Sequence, residues 1–230
     1  MRIIFENAAE KTKKYDSQRK GKQYNEAYWR VLNARAGNNS LVNGNGNVSE
    51  QSVRAIEDTL KEFEMARFGK MDWRFGGKLK SKLERNDIKE VLKEFRNLRI
   101  ESQEWQRYRD DVKKLYDTLS AEGSDGLSAD GKRFDVGATK IMNFLFPELF
   151  VMVDKNVAKT LISLGVIKIP RKGGTYNFSF ESYWQIMHIC HEELQERRKL
   201  HGNIQSLLEL DGKPTTLTRI FDKCTFIFQK

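Results

Sequence analysis

A lysine and an aspartate, Lys140 and Asp154, are the residues of this chain whose types and spacing best suit covalent chemistry. Lys140 lies in a segment that is apolar at most positions. On a helical wheel, Thr139, Lys140 and Asn143 form one narrow polar stripe, which is typical of a buried helix. Desolvation at the edge of a core or in a cleft lowers the pKa of a lysine ammonium and makes a neutral, nucleophilic amine available.

The chain between the two residues should bring them together. The first helix is expected to begin at Asp135, with its carboxylate as a cap, and to end where Pro147 forbids continuation. About seven helical residues after Lys140 rise only about 10 Å, and an extended segment of similar length then returns. Asp154 is the expected N-cap of a second helix. The sequence therefore predicts a cleft that Lys140 and Asp154 both face.

Each residue also has a simpler interpretation. Asp154 is explained equally well as an N-cap alone, because a carboxylate there accepts hydrogen bonds from the first turn. Lys140 can pack its aliphatic stem on Phe144 and extend its ammonium to water. Both interpretations remain open on the sequence.

The order of motifs carries a family resemblance. VGATK, an apolar helix, PELF and then an aspartate, within residues 134–164, resemble the region of helix-hairpin-helix DNA glycosylases that holds a catalytic lysine and aspartate. The segment looks most like the small 8-oxoguanine DNA glycosylase-like proteins. The chain departs from that family at Asp135, where a glycine is usual, and in a shorter separation between the lysine and the aspartate.

The resemblance implies a base-excision enzyme of DNA repair. In it Lys140 would attack the anomeric carbon of the sugar to form a Schiff base, and Asp154 would help to deprotonate the amine and stabilise positive charge on the sugar. The damaged base would be flipped out of the duplex. The alternative is a non-catalytic helical module that binds nucleic acid or protein.

The charge distribution favours a polyanionic partner. The formal net charge is +9, and basic residues cluster near the N-terminus and again between residues 67 and 85. We expect the second cluster to contact nucleic acid, in the form of double-stranded DNA, through Lys70, Arg74, Lys78, Lys80 and Lys82. Its aromatic residues either stack on bases or turn into the core. Gly137, at a helix N-terminus, is a further candidate to bind a backbone phosphate.

Composition limits the other possibilities. No run approaches the roughly 18 apolar residues that span a bilayer, so no membrane partner is expected. Two cysteines do not make a disulfide framework, which favours a reducing, intracellular compartment. His188 and His191 lie one helical turn apart but lack further ligands, and neither a metal nor another cofactor is expected.

The periodic segments predict an all-α protein with one small β-ribbon near residues 166–178. Residues 1–22 are expected to form a basic, extended arm, and residues 23–230 a helical domain, in one body or two lobes around 134–164. Ser49, Asn86 and Ser179 are the expected N-caps of further helices. The longest clear helix is expected over residues 105–119.

Overall fold

The structure is a computed structural model that describes residues 4–34, 41–63, 71–172, 175–176, 178–211 and 215–227. These residues are mostly helical, which confirms the all-α class. Three 3-10 turns, at Phe95–Asn97, Glu104–Tyr108 and Gln205–Asp211, connect some of the helices. In chain order, the α-helices of the described residues are α1 (Ala8–Ser17), α2 (Arg19–Asn33), α3 (Glu50–Glu62), α4 (Phe75–Leu83), α5 (Asn86–Glu94), α6 (Arg109–Ser120), α7 (Asp135–Leu145), α8 (Lys155–Ser163), α9 (Phe180–His201) and α10 (Leu217–Ile227).

The N-terminal segment differs from the predicted extended arm, because it forms α1 and the start of α2. Ala8, Thr12 and Tyr15 follow one face of α1 and are buried. This face packs against α10. The prediction failed because a stripe of one alanine, one threonine and one tyrosine carries little apolar signal on its own.

The long helix predicted over residues 105–119 is divided. A 3-10 turn, Glu104–Tyr108, precedes α6, and the longest helix of the described residues is α9. The predicted ribbon is present as one short antiparallel pair, β1 (Arg171–Lys172) with β2 (Thr175–Tyr176). It is too small to change the fold class.

The polar stripe of α7 holds the segment that returns toward α8. Thr139 Oγ1 accepts a hydrogen bond from the Val153 N–H at 3.1 Å, and Asn143 Nδ2 donates to the Phe150 carbonyl. The helix ends at Leu145, before Pro147, as predicted. The returning segment is extended but is not paired with any strand that the structure describes. Two polar side chains of the buried helix α7 thus bind backbone groups that would otherwise lack hydrogen bonds.

The predicted helix caps are partly confirmed. Ser49 accepts from the Ser52 N–H and Ser179 accepts from the Ser182 N–H. Two expectations were wrong because other residues occupy the capping positions. Arg85 is the N-cap of α5, so that Asn86 is already helical. Phe134 is the N-cap of α7, and the Asp135 carboxylate instead accepts hydrogen bonds from Tyr116 and Arg133, as described below.

The buried apolar side chains of the described residues form one connected cluster that runs from Ile4 to Cys224. α7 lies within it, and nine of its eleven residues are buried. Within the described ranges, no helix combines the length and the apolar character that crossing a bilayer requires.

Gly137 is closely packed in the first turn of α7. A Cβ placed there would overlap the ring of Phe134, whereas a Cβ at Gly77 in α4 would meet only open space. We therefore expect Gly137→Ala to destabilise the protein by about 1–3 kcal/mol through overpacking. Gly77→Ala should be neutral or stabilise it by up to about 1 kcal/mol, because alanine is the better helix former. Urea unfolding of both variants tests this, and equal effects would contradict the packing argument.

Candidate active site

Lys140 lies at the edge of the core, beside Phe63, the residue that follows α3. Its side chain is only 7% exposed, and Nζ lies 4.8 Å from the centroid of the Phe63 ring. Phe63 itself stacks on Tyr24 and meets the edge of Phe144. The ammonium therefore has an aromatic, largely desolvated surrounding, in which a cation gains from the ring face but loses hydration. Of the two placements expected from the sequence, the edge of a core or a cleft, these contacts correspond to the first.

Asp154 is the N-cap of α8, as predicted. Its Oδ1 accepts hydrogen bonds from the Asn156 N–H at 2.7 Å and the Val157 N–H at 3.1 Å. Both bonds of the cap fall on one oxygen. The second oxygen of the carboxylate is therefore not used by the cap. Asp154 can thus serve both as an N-cap and as a chemical group.

A second carboxyl group, that of Asp222 on α10, is influenced by the charges of both residues. Burial raises the pKa of Asp222 to about 6. The positive charges of Arg219 and Lys140 oppose this shift, and the negative charge of Asp154 adds to it. Charges act on a pKa in this way only over short separations. The charges of Lys140 and Asp154 therefore act on the carboxyl group of Asp222, and α10, which carries it, contacts α8 and is joined to α7 by the hydrogen bond from Asn143 to Thr218.

The raised pKa of Asp222 gives a prediction for stability against pH. The folded protein binds this proton more tightly than the unfolded chain, in which an aspartate has a pKa near 3.9. The contribution of Asp222 to the free energy of unfolding is thus greatest below about pH 4 and is lost as the pH rises to about 6. We expect Asp222→Asn to remove this loss. Urea unfolding of both proteins between pH 4 and 7 measures it, and parallel profiles would refute the assignment.

Arg219 holds Asp222 in place. Its guanidinium pairs with the Asp222 carboxylate and donates from Nη2 to the Tyr15 hydroxyl and to Asn25 Oδ1, both at 3.0 Å. The same group lies over the rings of Tyr15 and Tyr28 at 5.1 Å. With a side chain only 1% exposed, Arg219 ties α10 to α1 and α2 beside the candidate site.

Lys223 extends this network by one helical turn. Its Nζ donates to Asp16 Oδ1 at 2.9 Å, and Asn25 donates to the same oxygen at 2.6 Å. Two ion pairs with buried cations, Arg219 with Asp222 and Lys223 with Asp16, thus involve α10, and the charges of Lys140 and Asp154 act on the first of them. The balance of charge explains how so many ionisable groups are accommodated at the edge of a core.

Sequence reasoning missed the contribution of α10. The sequence signal that could have indicated this contribution was the placement of three charged residues, Arg219, Asp222 and Lys223, within a segment whose apolar residues already cover one helical face. Three charged residues so close together in a C-terminal helix are ordinary on an exposed surface. Only the packing of α1 over them shows that they are buried.

Gly137 has a packing role at the start of α7. It is buried, and the ring of Phe134 occupies the space where its side chain would be. In the same turn, the half-buried Asp135 accepts hydrogen bonds from the Tyr116 hydroxyl at 3.1 Å and Arg133 Nε at 2.9 Å. Burial raises the pKa of Asp135, against the opposing charge of Arg133. When ionised, this carboxylate repels an anion at the helix N-terminus. The packing of Phe134 explains why residue 137 is a glycine, and a bound phosphate is not needed to account for it.

The predicted nucleic-acid-binding residues in and before α4 differ in how far other groups of the protein already bind them. Lys78 Nζ donates to Asp72 Oδ2, the Ser124 carbonyl and the Gly126 carbonyl, and these three acceptors match its three donors. Lys80 pairs with Glu50 at 2.6 Å. Arg74 and Lys82 line a concave surface that Lys78 also borders. Lys70 lies outside the described residues.

Arg74 and Lys82 are therefore the predicted contacts best placed to meet a phosphate.

Comparison of the chain with protein-family models, with curated proteins and with solved structures finds no match.

Proposed function

We propose that this protein binds DNA and acts in base-excision repair as a glycosylase and lyase with Lys140 as its nucleophile. The observation that supports this proposal is the desolvated Lys140 ammonium in one neighbourhood with the Asp154 and Asp222 carboxyl groups. Clusters of buried ionisable groups that perturb one another are typical of catalytic sites. The resemblance of residues 134–164 to helix-hairpin-helix DNA glycosylases gives the substrate class.

The reaction needs a neutral amine and a proton acceptor. Lys140 loses a proton to the Asp154 carboxylate, and Nζ then forms a bond to C1′ of the flipped nucleotide while the N-glycosidic bond breaks. The base leaves with the bonding electron pair and is protonated. A proton then passes from Nζ to O4′ as the C1′–O4′ bond opens, which gives a protonated Schiff base. The ionised carboxylate also stabilises the positive charge that develops on the sugar.

Binding of the DNA itself would depend on the positive charge of the protein. The formal net charge is +9, and Arg74 and Lys82 are placed on a concave surface that is rich in cations. Release of condensed counterions makes such binding fall steeply as the salt concentration rises. A steep salt dependence would support nucleic acid as the partner, with or without chemistry.

The second candidate is a nucleic-acid-binding module without catalysis. It is favoured by the cap that Asp154 provides to α8, because capping alone accounts for an aspartate at this position. In this case the charged network of α10 would serve only to join the helices.

Borohydride trapping distinguishes the two functions. Duplexes that carry 8-oxoguanine, uracil or an abasic site are incubated with the protein and reduced, and a Schiff base then becomes a stable covalent adduct. Formation of an adduct on at least one duplex is expected. Salt-sensitive binding without an adduct on any duplex would instead support the binding module.

A further inference from the structure

A concave surface lies along one side of α4. It has a volume of about 660 Å³ and is open to solvent. Its lining residues come from α4, from the positions that flank it and from the loop after α6, and they are Arg74, Gly77, Lys78, Ser81, Lys82, Arg85, Ser124 and Asp125. We call this surface the α4 hollow.

The cations of the α4 hollow follow a helical stripe. Arg74, Lys78 and Lys82 recur every four positions from the N-cap of α4 to its last turn, so they project from one side of the helix, and Arg85 follows just beyond its end. The lining contains one carboxylate, that of Asp125, and from outside it Asp72 pairs with Arg74 and Lys78 while Asp87 pairs with Arg85. The cations therefore lie along the whole of α4, which is about 14 Å long at about 1.5 Å per residue.

The four cations have different roles. Lys78 fixes the wall of the hollow, because its three hydrogen bonds join α4 to Asp72 and to the carbonyls of Ser124 and Gly126. Arg85 pairs with Asp87 at the far end of the row. Burial lowers the pKa of Lys82, Asp125 opposes this shift, and the neighbouring Arg85 and Lys78 add to it. An anion beside Lys82 would relieve this crowding of positive charge.

An exposed aromatic side chain stands at the start of the hollow. Trp73 is 87% exposed, and the Arg74 guanidinium lies 5.2 Å from the centroid of its ring. By contrast, the neighbouring Phe75 is fully buried and packs on Phe134. Of the aromatic residues in this basic cluster, Phe75 thus has the core role and Trp73 has a face available to a ligand.

We propose that the α4 hollow and Trp73 together bind an unpaired stretch of nucleic acid. The phosphates lie along Arg74, Lys82 and Arg85, and one base stacks on the Trp73 indole. A positively charged groove beside an aromatic platform is the arrangement that suits single strands, whose bases have exposed faces. In a duplex those faces are covered by neighbouring base pairs, so the indole would find no partner there. The inference rests on this surface alone and does not require Lys140 to react.

Binding of an undamaged oligothymidylate of about twelve nucleotides, measured by fluorescence anisotropy, tests the proposal. We expect Trp73→Ala to weaken this binding by about 5- to 150-fold, the range found for loss of one stacked base. Binding of a fully paired duplex of the same length should change by less than about threefold. Trp73→Phe, which keeps an aromatic face, should retain most of the affinity of the single strand.

The charge component has its own test with a matched control. Lys82→Gln with Arg85→Gln should lower the slope of log K against log salt by about 0.7 for each lost phosphate contact on the single strand. The control, Arg198→Gln with Lys199→Gln at the exposed end of α9, removes the same formal charge away from the hollow. Equal losses in the two double variants would overturn the site and leave only a general charge effect.

Two further outcomes would refute the proposal. One is unchanged affinity for the single strand in Trp73→Ala, and the other is an equal loss for the single strand and the duplex. Because the oligonucleotide carries no damaged base, both outcomes are independent of the Schiff-base chemistry. Conversely, a protein that forms no borohydride adduct can still show the full dependence on Trp73.

Discussion

Replacement of Lys140 by Gln is expected to abolish the covalent adduct that borohydride traps between the protein and a damaged DNA duplex. The adduct needs a primary amine that attacks C1′, and Gln has none. Lys140→Arg should abolish it equally, although it keeps a positive charge beside Phe63 and Asp222. Loss in both variants would show that the amine, and not only the charge, is required. The readout is the covalent complex on a denaturing gel.

The matched control is Lys155→Gln. Lys155 is the exposed first residue of α8, next to Asp154, and it offers a second amine in the same region of the chain. We expect its adduct to equal that of the wild type. An adduct that survives in Lys140→Gln but disappears in Lys155→Gln would move the nucleophile to α8 and contradict the proposed site.

Asp154→Asn separates the two roles of the aspartate in the same assay. Asparagine caps helices about as well as aspartate, so α8 should remain stable. The amide cannot accept the ammonium proton, and we expect adduct formation to slow by about 10²- to 10⁴-fold. A normal rate in a normally folded Asp154→Asn protein would leave the cap as the whole function of this residue.

The central hairpin was predictable because its determinants are local. Pro147 ends α7, and the hydrogen bonds of Asp154 at α8 reach only two and three residues along the chain. The stripe of Thr139 and Asn143 was visible as a pattern of polar residues. The structural role of this stripe could not be predicted, because the partners of these side chains are carbonyl and amide groups of the returning segment.

The network of α10 could not be predicted because its contacts are distant in sequence. Arg219 meets Tyr15 and Asn25 across nearly the whole chain, and a single sequence gives no means to pair them. The helical N-terminal segment was missed for the same reason. α1 is stabilised by its packing against α10 more than by its own apolar residues, so its local pattern is weak.

Replacement of Arg219 by Met should be among the most destabilising single changes in the described part of the chain. It leaves the buried Asp222 carboxyl group without its ion-pair partner and removes two hydrogen bonds, to Tyr15 and Asn25. Breaking one side of a buried pair costs about 3–5 kcal/mol. An exposed pair, Arg85 with Asp87, supplies the comparison, and Arg85→Met should change the free energy of unfolding by less than about 1 kcal/mol.

A double-mutant cycle with Asp222→Asn identifies the cause. If the loss in Arg219→Met arises from the unpaired carboxylate, then adding Asp222→Asn should recover part of it, with a coupling energy of about 0.5–3 kcal/mol. The coupling should be larger at pH 7 than at pH 4, because burial raises the pKa of Asp222 to about 6 and the carboxyl group is protonated at the lower pH. If the losses in the two single variants add without coupling at both pH values, Arg219 stabilises the protein through Tyr15 and Asn25. The ionisation of Asp222 would then be set by groups other than Arg219.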